Sequence, residues 1–202
     1  MIYQDELLFS VICRYKQMCG MESKRALELD LFQIHKRRMG RKSVLFPQNL
    51  QIFVSNLPPT TKLSIKEIIM NHTMYPFYTA FLSNQVSDKV FKGMEEGTGK
   101  SIENLVGMAG SKVKSSNYLR YCPLCFKEDI ERLGLSYWRR LPQIPGVLYY
   151  PIHGILYKDS NVVMNDSRND YLCADEETCD TNISTDNYSD EIKKLNLKYV
   201  EN

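Results

Sequence analysis

Tyr121-Cys122-Pro123-Leu124-Cys125 divides this 202-residue sequence into two textures. Upstream of it the apolar residues recur at helical spacing, and downstream Gly and Pro become frequent. A Cys-x-x-Cys turn lets two thiolates meet one ion, and Pro123 stiffens the knuckle between them. Further on, Tyr149-Tyr150-Pro151-Ile152-His153-Gly154 supplies an imidazole 28 residues after Cys125. A closed structural zinc site has four ligands, whereas this spacing yields three: Cys122, Cys125 and His153. A redox dithiol is the rival reading. It expects a helix start behind a strand in a βαβ setting, which the sequence does not display.

Working upstream, Leu7, Leu8, Val11, Ile12, Tyr15, Met18 and Cys19 draw one apolar stripe on a helix, with Gly20 placed to end it. Cys13 and Cys19 within it read as small buried hydrophobes. Ser23 is the cap of a second helix carrying Leu27, Leu31 and Ile34. A third helix is expected from near Pro47 to Pro58-Pro59. Ser64-Ile65-Lys66-Glu67 fits a capping box that opens a fourth, running through Ile68 and Ile69 to His72. Val86, Val90, Phe91 and Met94 form another stripe, and Ser101 opens a last short helix. Downstream, Val147–Tyr150 reads as a short strand. Beyond about residue 165 the chain is polar and acidic, with little to build a core. The expected fold is mainly α: a helical body with helix-turn-helix-like packing over 1–116, a small zinc-finger-like Cys/His module with short strands over 117–160, and an acidic, weakly ordered tail over 161–202.

The net charge of +2 conceals an asymmetry. Residues 161–202 carry a net of −6, and residues 1–160 a net of +8. A basic body points to a polyanion, of which nucleic acid is the commonest. Lys36, Arg37, Arg38, Arg41 and Lys42 place five basic residues in seven beside His35, as phosphate contacts would require. Such runs are also ordinary solvated loops. Likewise Leu7–Cys19, Gly20 and Ser23–Ile34 can be a DNA-reading helix pair or simply core. Gly93-Met94-Glu95-Glu96-Gly97-Thr98-Gly99-Lys100-Ser101 resembles a phosphate loop superficially. Its spacing is one residue too long and no strand precedes it, so a Gly-rich turn is the better reading. No apolar run of about 18 residues suggests a membrane span, and no leader pattern opens the sequence; a cytoplasmic protein is expected.

These residues carry a resemblance. Asp5-Glu6-Leu7-Leu8-Phe9-Ser10 with Arg14-Tyr15, Phe46-Pro47-Gln48-Asn49-Leu50, Leu57-Pro58-Pro59 and His72-Thr73-Met74-Tyr75-Pro76-Phe77-Tyr78 lead to Tyr118-Leu119-Arg120-Tyr121-Cys122-Pro123-Leu124-Cys125. Asp129, Gly134, Tyr137-Trp138-Arg139-Arg140, Gln143-Ile144-Pro145-Gly146-Val147 and His153-Gly154 follow. Together they resemble the TniQ family, and in particular the N-terminal part of its TnsD-type target selectors. The resemblance implies a transposition adaptor, not a catalyst. Such proteins choose the insertion target on DNA or on a guide-RNA complex and recruit an AAA+ ATPase regulator, TnsC. It also implies one zinc ion held by Cys122, Cys125, position 150 and His153. Arg139 and Arg140 join the basic run as DNA-contact candidates.

This chain departs from that pattern at position 150, which is Tyr, and at position 142, which is Pro where a His is frequent. Three outcomes follow for the fourth ligand. Cys173 or Cys179 swings back to complete the tetrahedron, a water fills the position, or the module folds without metal with Tyr150 over the thiols. Three functions likewise stand: a DNA-binding target selector, an interaction-only adaptor, and a zinc hydrolase. The last lacks a His-Glu-x-x-His or similar cluster.

Overall fold

In the computed structural model, which describes residues 2–33, 43–97, 101–113, 115–164, 170–182 and 189–201, the stripe that begins at Leu7 forms α1 (Leu8–Met18). It buries Leu8, Phe9, Ile12 and Cys13, and Gly20 closes it at φ +62°, a left-handed conformation that suits glycine. Cys19 corrects the sequence reading: it lies past the end of the helix and is exposed. The chain divides into two compact units, Met1–Ser111 and Lys112–Asn202.

In the first unit, α1 is anchored by a buried ion pair. Glu6 is fully buried and accepts from Arg14 Nε and Nη2 (2.9 and 2.8 Å), from Ser10 Oγ and from the Tyr3 amide. Four donors on one carboxylate offset the cost of taking its charge out of water. His72 donates through Nδ1 to the Glu6 carbonyl at 2.8 Å, so this histidine is structural. Next comes α2 (Lys24–Phe32), capped by Ser23 at the Ala26 amide. α3 (Leu50–Ser55) starts three residues later than Pro47 suggested, because Val44, Leu45 and Phe46 are buried in the turn before it and Asn49 caps it at φ +61°. α2 packs on α3: Phe32 lies against Phe53 with ring centroids 5.5 Å apart, and Asn56 donates to the Leu31 carbonyl. A Tyr15–Asp30 hydrogen bond of 2.7 Å links α1 to α2. The helix-turn-helix expectation therefore has its two helices and Gly turn, but the main packing partner of α2 is α3.

α4 (Ile65–His72) has the full reciprocal capping box at Ser64 and Glu67, followed by α5 (Tyr75–Thr79), α6 (Asn84–Lys92) and α7 (Ile102–Leu105). α6 runs on into a π-turn over Gly93–Gly97, so the glycine-rich stretch follows a helix and not a strand. Gly97 has a packing role: at φ +77°, any side chain there would collide with that of Asn49.

In the second unit β1 (Tyr118–Tyr121) leads into α8 (Pro123–Leu133) and pairs antiparallel with β2 (Lys158–Val163). The strand expected at Val147–Tyr150 is reduced to one bridge, Tyr149 to Leu156. The amides of Leu148 and Tyr149 go instead to Asn196 Oδ1, on α9 (Asp190–Glu201). Residues 170–182, read from the sequence as loose tail, are packed here. Tyr171, Ala174 and Cys179 are buried, Trp138 Nε1 donates to the Leu172 carbonyl, and the Tyr121 hydroxyl donates to that of Asp180. Among the described residues no helix is long and apolar enough to cross a membrane.

Candidate metal centre

β1 delivers the chain straight into the Cys-x-x-Cys turn. Cys122 is the N-cap of α8, Pro123 occupies its first turn, and Cys125 follows one turn on. The second half of the site comes from a tight turn in which the Gly154 amide donates to the Tyr150 carbonyl and the Tyr150 amide to that of Ile155. This turn brings His153 Nδ1 to 3.2 Å from Cys122 Sγ and 3.6 Å from Cys125 Sγ. The three ligand atoms lie within 4.8 Å of one another. Two thiols and an imidazole are a donor set for a borderline-soft divalent ion, and they converge with both sulfurs buried. Cys122, Cys125 and His153 could thus hold a metal ion.

The electrostatics separate the two thiols. The hydrogen bond from Cys125, opposed by burial, holds the Cys122 thiol below its ordinary range. That same bond, with burial, pushes Cys125 well above it. Tyr150 stands where the resemblance implies a fourth ligand. It is buried against both cysteines, its ring 5.2 Å from that of His153 and 6.0 Å from that of Tyr157. Burial first, then its hydrogen bond to Cys125, raises its phenol far above the usual range. A neutral phenol is a poor ligand for such an ion.

Cys173 and Cys179, the substitutes of the first outcome, stand apart from the donor group formed by Cys122, Cys125 and His153. Thr178 holds the segment in its own turn: its hydroxyl donates to the Cys173 carbonyl at 2.7 Å and lies 3.7 Å from Cys179 Sγ. Burial pushes the Cys179 thiol up to about 12.

The DNA-contact candidates fare differently. Lys36, Arg37, Arg38, Arg41 and Lys42, with His35, lie outside the described residues. Arg139 is committed within the module. It donates Nη1 and Nη2 to the buried Asp129 carboxylate at 2.7 and 2.8 Å, and its guanidinium lies 4.0 Å over the Tyr137 ring. Its guanidinium fork is thus engaged with a carboxylate inside the module. Arg140 is half-buried.

Several residues that sequence reasoning passed over build the frame. Arg120 donates to the carbonyls of Val147 and Ile144, both at 2.7 Å. The Gln143 side chain accepts from the Arg120 amide and donates to the carbonyls of Arg120 and Arg139. These clamps join β1 to the turn that leads to Tyr150 and His153. Their signal was present only in the blocks Tyr118-Leu119-Arg120-Tyr121 and Gln143-Ile144-Pro145 that carry the family resemblance. No spacing rule pairs Arg120 with carbonyls 24 and 27 residues away.

Two comparisons with known proteins agree with this arrangement. The chain is 30% identical over 154 residues to the transposon Tn7 transposition protein TnsD of Escherichia coli, a match that covers 76% of this chain and 30% of that protein. The chain thus aligns with less than a third of that relative's length. The sequence model of the TniQ family matches residues 1–156, which take in the helical unit, the Cys-x-x-Cys turn and His153. With that match over most of its length, the chain belongs to the TniQ family.

Proposed function

We propose that this protein is a transposition target-site selector, a cytoplasmic adaptor that binds target DNA and recruits an AAA+ ATPase regulator of the TnsC kind. The observation that carries the reading is the TniQ match over residues 1–156, with a TnsD relative at 30% identity. The +8 charge of residues 1–160 supports a polyanion partner. The adaptor performs no chemistry of its own. Its Cys122–Cys125–His153 group holds one zinc ion in a structural role, which links the helix start to the turn at Tyr150. The basic run Lys36, Arg37, Arg38, Arg41 and Lys42, with Arg140, supplies the phosphate contacts.

Binding of the full chain to duplex DNA should weaken steeply with salt, and replacing Arg37, Arg38 and Arg41 with Ala should flatten that slope by roughly one per lost phosphate contact. Absence of any affinity at low salt would remove DNA from the reading. A second reading is then the better one: an adaptor that docks on the AAA+ regulator or on a guide-RNA complex without reading DNA. The engagement of Arg139 with Asp129 favours it, since one of the arginine candidates is already occupied. Co-purification with a TnsC-type ATPase in the absence of DNA separates the two.

A further inference from the structure

His153 offers two ring nitrogens, and the structure gives each a different neighbour along one side of α8. Nδ1 faces the two thiols at 3.2 and 3.6 Å, whereas Nε2 lies 3.2 Å from Glu128 Oε1. Cys122, Cys125 and Glu128 stand three residues apart, so the helix stacks two sulfurs and a carboxylate on adjacent turns of the same side. A neutral imidazole carries one N–H, and only the other nitrogen has a lone pair to offer an ion. A carboxylate can only accept. It therefore selects the tautomer with hydrogen on Nε2 and leaves the Nδ1 lone pair directed at the sulfurs.

We infer that Glu128 is a positioning residue of the metal site: it fixes the tautomer and ring orientation of His153 so that Nδ1 is the ligating nitrogen. Glu128 is not itself a ligand, because its oxygens do not belong to the group of three donor atoms within 4.8 Å. Its side chain is 64% exposed, so its pairing with His153 contributes little to stability by itself. What it contributes is direction. With only three protein donors and a tyrosine in the fourth place, a misplaced imidazole removes a third of the protein's ligands. A site with a fourth thiolate is less sensitive. The inference rests on the metal reading given above, and the experiment below distinguishes failure of one from failure of the other.

Zinc affinity of the full chain is measured by competition with a chromogenic chelator, for wild type, Glu128→Ala, Glu128→Gln and Glu131→Ala. Glu131 lies on the same helix beside the same cleft and controls for loss of one negative charge. Glu128→Ala should weaken zinc 10- to 100-fold, the range for loss of an outer-shell partner. Glu128→Gln should recover most of that, since its amide oxygen still accepts from Nε2–H. Glu131→Ala should change affinity no more than about twofold, as an exposed charge does. In the cobalt-substituted protein, the ligand-field bands should shift in Glu128→Ala and not in Glu131→Ala, and the metal-free melting point should be the same in all four. Wild-type affinity in Glu128→Ala overturns the inference and leaves the metal reading intact. Equal losses in Glu128→Ala and Glu131→Ala, or no rescue by Gln, overturn it in favour of bulk charge. A wild type that takes up no zinc overturns both.

Discussion

Replacing Tyr150 with Cys supplies the thiolate that the site lacks and removes a buried ring in the same step, so the two effects can be set against each other. Tyr150 is 8% exposed and packs on Cys122, Cys125, Tyr157 and the His153 ring. Truncating a buried aromatic side chain costs about 3–5 kcal/mol when it goes to Ala, and the retained sulfur brings this down to roughly 2–4 kcal/mol. In metal-stripped protein, Tyr150→Cys should therefore melt well below wild type, by roughly 10–25 °C for a unit of this size. Each tenfold gain in zinc affinity returns about 1.4 kcal/mol under saturating metal. A gain of roughly 100-fold from the fourth ligand cancels most of the loss, so the metal-loaded mutant should melt close to wild type. Trp138 is the single tryptophan of the chain and is fully buried in the second unit, so its fluorescence reports melting of that unit alone. The expected signature is a larger zinc-induced rise in melting temperature for Tyr150→Cys than for wild type. Equal rises in the two proteins, with stoichiometric zinc resisting chelator in both, would refute the reasoning by showing that the tetrahedron is already complete.

Asp129→Ala leaves the Arg139 guanidinium without its buried partner and should cost about 3–5 kcal/mol, read as a fall of at least about 10 °C in the Trp138 transition, while Arg140→Ala leaves that transition in place; a fall under a few degrees would release Arg139 for a surface role. Gly97→Ala should destabilise the helical unit by more than the roughly 1 kcal/mol of a positive-φ penalty, because its Cβ also displaces Asn49; far-UV circular dichroism on heating is the measurement, and a neutral result would mean that the two segments shift apart freely. Ser64→Ala should cost about 1 kcal/mol through loss of the cap. The backbone and side-chain hydrogen bonds of Ser64 hold the Glu67 carboxyl below its ordinary 4.5. That contribution is complete above the unfolded value and lost as pH falls through the folded one, so the difference between Ser64→Ala and wild type should shrink in acid and stay level at neutral pH. Iodoacetamide at pH 8 should label the exposed Cys19 and spare Cys179, whose buried thiol is pushed up to about 12; mass spectrometry showing equal labelling would put Cys179 at the surface.

Helices were the legible part of this chain because their signals are local. The stripe from Leu7, the Ser23 cap and the Ser64–Glu67 box each lie within one or two turns of what they stabilise, and all three form, although the stripe's last members, Met18 and Cys19, are exposed. The two halves of the Cys/His group were legible for a similar reason, since Cys-x-x-Cys is a turn and His153 sits in another. What the sequence left open depends on distant partners. β1 was missed because its partner strand begins at Lys158, 37 residues beyond the strand's last residue, and four residues carry no alternation to read. Arg139 reads as one more surface cation until Asp129 is placed 2.7 Å away on the preceding helix. Residues 170–182 lack the apolar density of a core segment, yet four buried residues, Tyr171, Ala174, Thr178 and Cys179, and the carbonyls of Leu172 and Asp180 tie them to the second unit. Candidate ligands and the helices around Leu7, Ser23 and Ser64 could be read from the chain alone, because side-chain chemistry and short-range hydrogen bonds need no fold, whereas α8, which is capped by Cys122 and carries Cys125, was not read. The packing of Tyr150 on Cys122 and Cys125, the absence of Cys173 and Cys179 from the donor group, and the meeting of Glu128 with His153 Nε2 emerged only in three dimensions. Each of those depends on where a turn and a helix are held in space, which no spacing along the chain encodes.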